Sequence, residues 1–395
     1  MKKRLLALLL ACLMMFTLAA CTGDDTPPSE DPEDTAAVEP DDTLTKDTIK
    51  IGMVMIGEEN DNGYNYNHVV GMEEMQEALG ISDEQIIYKT NIPEDSQCET
   101  AIRELVEAGC SIIFANSFGH EQYMVLVAEE HPEVEFCHAT GYQSAVDEME
   151  NTHNYFTKIF EARYLAGIAA GLKAKEVENS KLGYVAAKPF AEVISGYTAF
   201  YLGAKSVYPE VTMDVIYTNE WSDAALEAQA AQALIDGGCG VISQHSDTTA
   251  PATTAAQNGV FQVGYNADMI PAAPDASLVS ARIDWDVYYT YAVQCMLDGT
   301  PIPQDWCQGL AEDAVYLSPL NEDIIAEGTA EAIEAAKAEL IDGTRHVFAG
   351  PFTGTGDNFG ETVTIDLKEG VWFEENETAS APSFLYIIEG VNVLQ

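Results

Sequence analysis

The chain has 395 residues, with 65 Asp and Glu against 18 Lys and Arg, a formal charge of −47. Such a surface repels polyanions, so nucleic acid and anionic lipid headgroups are excluded as partners. The length is too great for one small core and suits two lobes.

Met1 to Ala20 carries Lys2, Lys3 and Arg4 and then a run of Leu, Ala and Met, the pattern of a secretory signal. It ends in Leu18-Ala19-Ala20-Cys21, which fits a bacterial lipobox. Small residues precede the cut, and the Cys21 thiol takes a diacylglycerol. The expected location is therefore the cell membrane, lipid-anchored on its extracytoplasmic face. An ordinary signal with a chance Cys, or a membrane helix, is the alternative. No other apolar run approaches the roughly 20 residues that a spanning helix needs. Residues 22–48 hold ten acids, one lysine and four prolines. That composition predicts an unfolded, extended tether, giving 1–20 as signal and 21–48 as lipidated Cys and tether.

Eight cysteines reduce to six once Cys12 leaves and Cys21 is lipidated. Cys110 and Cys239 precede strands at equivalent positions and Cys137 lies in a strand-like run, so free buried thiols are expected for these three. Cys295 with Cys307 could form a bridge, as export permits; Cys98 is left open. No Cys/His spacing resembles a zinc site, and no metal or other cofactor is expected.

The first lobe opens with an apolar strand, Ile49 to Ile56, leaving into the polar loop Gly57-Glu58-Glu59-Asn60-Asp61-Asn62-Gly63-Tyr64-Asn65. A helix follows over about 67–79, a strand over 86–89, a helix over 96–108 and a strand over 111–115. Asn116-Ser117-Phe118-Gly119-His120 stands at that strand's mouth. Phe136 to Ala139 is a strand ending in Thr140-Gly141-Tyr142. Asn154-Tyr155-Phe156 leads into a helix over 159–173 that is rich in small residues, which suits close packing on a sheet.

The second lobe starts at Lys181. Residues 213–269 alternate strand, helix, strand, helix, strand, the sign of a parallel sheet with helices on its faces. The chain is expected to cross back near 278–283, with helices over 285–297 and 329–341 and closing strands over 347–352 and 384–393. The boundaries predicted are 49–153 with about 283–325 for one lobe, and 154–282 with about 326–395 for the other.

Polar residues past the carboxyl ends of parallel strands line a common crevice. In the second lobe these are Asn219, Glu220 and Trp221, then Gln244, His245 and Asp247, then Asn266 and Asp268. Residues 101–120 (AIRELVEAGCSIIFANSFGH) match 230–249 (AAQALIDGGCGVISQHSDTT), which pairs Asn116 with His245 and Phe118 with Asp247. Two similar units indicate two similar lobes facing each other.

In combination, the lipobox, NDNGYN, ANSFG, HATGY, NYFTKIFEARYLAGIAAG, NEWSDAALEAQAAQALIDGGCGVISQHSD, VGYNADM and FAGP resemble the basic membrane protein (BMP) family over about residues 49–352. These are lipoprotein substrate-binding components of ABC importers. The resemblance implies a type I periplasmic-binding-protein fold: two Rossmann-like α/β lobes, a three-strand hinge and a ligand between them. It implies a permease and its ATPase as partners, and purine nucleosides, related bases or flavin-type aromatics as ligands. The NEW-x-D and SQHSD branch is similar to adenine-type binders.

A flat ring suits the candidate residues. Phe118 and Trp221 stand at strand ends of opposite lobes and can sandwich it, each pair adding about 0.5–1.5 kcal/mol beyond area burial. A core aromatic is the alternative for Trp221, and loop packing for Tyr64 and Tyr155. Asp268, Asn266, Asn116, Asp61 and His245 can read purine edges; Asp268 could equally be a helix cap. Nucleoside-binding relatives carry Asp where Asn266 stands and Lys where only Arg282 is offered, which shifts the expectation from ribose toward a free base. An enzyme would need a catalytic set, and no G-x-S-x-G, P-loop, HExxH or GxGxxG is present. Glu220 with His245 as an acid–base pair is weaker than their reading as binding groups. A sensor lobe that reports ligand to a membrane partner would use the same two lobes.

Overall fold

The computed structural model describes residues 44–144, 149–377 and 379–394. The signal, the lipobox with Cys21 and most of the acidic tether lie outside them. The tether ends earlier than its composition suggests. Leu44 packs against the core, and Gln85 Nε2 donates to the Lys46 carbonyl at 2.8 Å, so the chain is seated on the first lobe from Leu44 onward.

The short apolar runs are strands because both of their faces are covered. The first lobe runs β1 (Ile51–Val54), α1 (Tyr64–Leu79), β2 (Ile86–Lys89), α2 (Ser96–Glu107), β3 (Ile112–Ala115), α3 (Glu121–Ala128), β4 (Glu135–Ala139) and β5 (Thr152–Thr157). All four residues of β1 and of β3 are buried, as expected for the middle of a parallel sheet. The second lobe runs α4 (Ile159–Glu176), β6 (Lys181–Ala186), α5 (Ala191–Val207), β7 (Thr212–Tyr217), α6 (Ala224–Asp236), β8 (Val241–Gln244), α7 (Ala250–Asn258), β9 (Phe261–Tyr265) and β10 (Ser277–Ile283). After these come α8 (Asp286–Asp298), β11 (Asp305–Gln308), β12 (Val315–Leu317), α9 (Thr329–Ile341), β13 (Phe352–Asn358), β14 (Glu361–Leu367), β15 (Tyr386–Ile388) and β16 (Val391–Leu394).

The first sheet has the order β11-β5-β4-β3-β1-β2, all parallel. The second has the order β12-β10-β9-β8-β6-β7-β16, with β12 alone antiparallel. Thus β5 belongs to the first sheet and β10 to the second, and the chain crosses between lobes at Lys158, at Asp284 and between Gly309 and Ala314. The return expected near 278–283 comes at the end of β10, while β12 is already back in the second sheet before residue 325. Residues after Thr353 complete the second lobe: β16 adds an edge strand beside β7, while β13, β14 and β15 form a separate antiparallel sheet.

The small residues of α4 serve a helix as well as a sheet. A Cβ at Gly167 would collide with the Phe200 carbonyl, and one at Gly171 with the backbone of Ala204, so α4 lies directly against α5. The six cysteines from Cys98 to Cys307 are all free thiols. Cys295 and Cys307 form no bridge: one is on α8 and the other on β11, and both stay reduced within the first lobe. Burial pushes the Cys110 thiol up to about 11 and the Cys239 thiol up to about 12, in keeping with inert core positions.

Candidate functional site

Both sheets share the strand order 2-1-3-4-5 in their central five strands, with the switch point between β1 and β3 and between β6 and β8. Ligands in doubly wound sheets lie outside the carboxyl ends at that point. A narrow cavity occupies this position between the lobes. Its first-lobe wall is Ile56 and Tyr64 after β1, Asn116, Ser117 and Phe118 after β3, and Thr140 after β4. Its second-lobe wall is Glu192 at the start of α5, Trp221 after β7, His245 and Asp247 after β8, and Tyr265 at the end of β9.

Five of the sequence-derived candidates meet here: Tyr64, Asn116, Phe118, Trp221 and His245. Tyr64 is fixed by its hydroxyl, which donates to the Asn116 carbonyl at 2.6 Å. The Asn116 side chain accepts from the Ile56 N–H at 3.1 Å and donates to Asn65 Oδ1 at 2.9 Å, tying the exits of β1 and β3 together.

The other five candidates do not line the cavity. Asp61 is spent on the backbone, its carboxylate accepting from the N–H groups of Gly63, Asn65 and Tyr66 at 2.8, 3.1 and 2.9 Å at the start of α1. Tyr155 is core: fully buried, its ring is stacked on Tyr288 at 4.0 Å and its hydroxyl bonds Tyr289. Glu220 is exposed, leaving the β7 exit to Trp221. Asp268 accepts from the Ile270 N–H at 3.0 Å, a local turn. Asn266 is fully buried behind the cavity, its amide donating to Asp247 Oδ1 at 3.3 Å and its carbonyl accepting from Arg282 Nε at 2.7 Å.

The sequence reading passed over Glu192, Tyr265, Thr140, Ser117 and Ile56, and left Asp247 as a rim residue only. Asp247 had a signal, since the internal repeat pairs it with Phe118. Thr140 has a backbone signature instead: φ is +67°, a strained left-handed conformation for a β-branched residue. Such strain gathers at functional sites. Glu192 had none, entering from the first turn of a helix whose pattern is apolar on most faces.

The electrostatics follow from burial. Desolvation pushes the Asp247 carboxyl well above the usual carboxylate range, and Asp61, Glu227 and Glu192 add to it while Arg163 opposes. Burial raises Glu192 to about 7, again against Arg163. His245 is pushed well down by burial and then by Arg163, so its ring is neutral. Glu192 Oε1 stands 3.2 Å from His245 Nε2. Arg163, itself buried, donates to the Gln244 carbonyl at 3.0 Å and lies 3.7 Å from the centre of the Tyr265 ring. The wall therefore carries two carboxyl groups held toward their neutral forms beside the buried Arg163 guanidinium. Trp221 Nε1, His245 Nδ1, Thr140 Oγ1 and the Tyr265 hydroxyl are buried without a partner in the protein. Buried polar atoms of this kind call for one. Ser117 Oγ donates to Glu94 Oε1 at 2.8 Å.

Residues 48–344 match the family model described as ABC transporter substrate-binding protein, PnrA-like (Bmp). The chain belongs to the Bmp family. It is 35% identical to a purine-binding protein of Brucella abortus over 306 residues, covering 78% of this chain and 85% of that protein. It is 31% identical to a Haloferax volcanii protein named as an ABC transporter glucose-binding protein, covering 82% of this chain and 81% of that one. Among solved structures, a solute-binding protein of an ABC transporter system from Aeropyrum pernix superposes with a TM-score of 0.65 at 18% identity, over 77% of this chain and 94% of that one. One from Conexibacter woesei gives 0.60 at 19%, over 75% and 98%. This Bmp chain is thus an extracytoplasmic substrate-binding protein of the ABC importer type, with the two-lobed type I fold and a small-molecule ligand and permease as partners. Family and fold are those of binding proteins rather than enzymes.

In this Bmp chain the aromatic side chains continue outward from the cavity. Phe190 sits between the two expected clamp residues, its ring centre 5.3 Å from Phe118 and 6.0 Å from Trp221.

Proposed function

We propose that the protein binds a purine-type ligand, with adenine or a related free base preferred, and delivers it to a membrane permease from a lipid anchor at Cys21. The observation that carries this reading is a narrow cavity with aromatic rings on both lobes and unused polar atoms between them. Tyr64 and Phe118 come from one lobe, Trp221 and Tyr265 from the other. Flat heterocycles gain stacking from such walls, and their ring nitrogens and exocyclic N–H groups match the unpartnered atoms. The name of the Brucella relative supports the same ligand class. Arg282, which would face a ribose if it followed nucleoside-binding relatives, is bonded to the Asn266 carbonyl and to Asn67, which favours the base, while Asn266 gives its amide N–H to Asp247 and keeps Oδ1 free.

The glucose-binding name of the Haloferax relative supplies a second reading, and purine nucleosides and flavins supply others. One calorimetric series decides among them: adenine, adenosine, riboflavin and glucose titrated into the purified protein, with mass spectrometry of any molecule released on denaturation. Adenine tightest by at least tenfold supports the proposal; adenosine, riboflavin or glucose tightest replaces it.

A further inference from the structure

We propose that Glu94 and Lys188 form a latch that holds the lobes closed and sets the cavity's aromatic walls as it engages, an inference that rests on the cavity being a ligand site. Glu94 lies on the loop between β2 and α2 in the first lobe, and Lys188 on the loop between β6 and α5 in the second. Lys188 Nζ stands 3.2 Å from Glu94 Oε2, with both side chains about three-quarters buried at 21% and 24% exposure. Among the described residues this is the one ion pair that joins the two lobes; the others stay within a lobe.

Each partner is also attached to a cavity wall. Glu94 Oε1 accepts from Ser117 Oγ at 2.8 Å and from the Gly119 N–H at 2.9 Å, gripping the residues on both sides of Phe118. Gly119 lies so close that a Cβ there would stand 2.7 Å from the Glu94 side chain. On the other lobe, Lys188 Nζ lies 5.1 Å from the centre of the Trp221 ring, a cation–π distance. Burial of Glu94 favours its neutral form, but the Gly119 and Ser117 donors and Lys188 outweigh it and hold the carboxyl below its ordinary range.

The ion pair exists only when the lobes meet, so whatever free energy it carries belongs to the closed state. Parting the lobes separates Glu94 from Lys188 and frees both walls. The pair therefore acts on ligand departure more than on arrival. It is a positioning pair and touches no ligand.

The test uses adenine as probe and follows its dissociation by stopped-flow tryptophan fluorescence. Lys188→Met and Glu94→Gln should each raise the dissociation rate about 3- to 10-fold, with the association rate changed far less. The wild-type dissociation rate should rise with added salt, and the Lys188→Met rate should be nearly salt-independent. The charge-reversed double variant, Glu94→Lys with Lys188→Glu, should regain the salt dependence of release that the single variants lose, which a merely structural role would not give, while its release stays faster than wild type because a lysine at position 94 cannot accept from Ser117 and Gly119. X-ray scattering of the ligand-free protein should show more open molecules for Lys188→Met than for wild type. Dissociation rates and salt slopes equal to wild type in both single variants would overturn the latch. If adenine fails to bind wild type, the ligand reading falls, and the latch is judged by scattering alone: identical curves for wild type and Lys188→Met overturn it.

Discussion

At Gly63 the first lobe comes close to the backbone of the second, and Gly63→Ala should separate closure from folding. A Cβ at Gly63 would stand 2.7 Å from the Asp247 carbonyl carbon and 3.2 Å from its Cα, and nearer still to the oxygen. Ordinary van der Waals contact begins at 3.4 Å. None of those atoms is a flexible tip: all belong to the backbone of the β8 exit, held in turn by the Asp247 N–H donating to the Trp221 carbonyl at 3.2 Å. The loop cannot yield cheaply, so the lobes must back away. Overpacking of this kind costs about 1–3 kcal/mol. That cost falls on the closed state alone, so the fraction able to hold ligand drops and the dissociation constant rises by about 5- to 150-fold. Titration of adenine into wild type and variant measures it, with thermal melting of both ligand-free proteins as the control. The expected result is weaker binding with the ligand-free melting temperature kept. Equal affinity would refute the closed-state contact, and a loss of affinity matched by an equal loss of ligand-free stability would show that the methyl damages the first lobe instead.

Trp221→Ala should weaken adenine, adenosine and related purines together, by about 2 kcal/mol or roughly 30-fold if the indole is a buried anchor; unchanged affinities in titration would remove it from the site. Glu192 carries a pH effect whose sign is fixed. Its folded value of about 7 lies above the ordinary 4.5, so the folded state holds the extra proton and the group costs stability as pH rises from 4.5 through 7. Glu192→Gln should therefore melt higher than wild type at pH 8, by up to about 3 kcal/mol of stability, with the gain shrinking to nothing near pH 4.5; a gain independent of pH would contradict the assignment. Asn266→Asp removes an amide that donates to Asp247 and supplies the acid of nucleoside-binding relatives, so adenosine should gain relative to adenine in the same titrations, and an unchanged ratio counts against that reading. Cys21→Ser should release the protein from the membrane fraction, and partitioning like wild type after detergent extraction would end the lipobox reading.

The alternation of apolar runs with amphipathic segments made most of both sheets legible. The β1, β3 and β8 runs are bounded by Gly and polar residues, and period and length give them away. The internal repeat went further, since Asn116 and His245, and Phe118 and Asp247, all line one cavity. What failed has a common cause. Asp61, Glu220 and Asp268 are polar residues just past strands, which is also where backbone N–H groups need acceptors, and sequence cannot tell a ligand contact from a turn or helix start. Tyr155 lies inside β5, where a tyrosine reads as rim or core alike until its neighbours are known; here Tyr288 and Tyr289 claim it. Glu192 and Arg163 were missed because each comes from a helix, one from the first turn of α5 and the other from within α4, and only packing brings them to the strand exits.

On the proposed reading, the same packing lets a strongly acidic chain offer a site to an uncharged ring. The surface charge of −47 is solvated and screened. Inside the cleft, burial raises Asp247 and Glu192 toward their neutral forms and keeps His245 neutral, while Arg163 is turned into the wall by Gln244 and Tyr265. Each of these groups alone would pay heavily for losing water. Together they leave donors and acceptors close to one another around the buried Arg163 guanidinium. A neutral heterocycle with both kinds of group on its edge can satisfy them without bringing charge of its own. A ribose would meet Arg282 already bonded to the Asn266 carbonyl and to Asn67. A base is favoured, on the proposed reading, because Trp221 Nε1, His245 Nδ1, Thr140 Oγ1 and the Tyr265 hydroxyl are left unpaired.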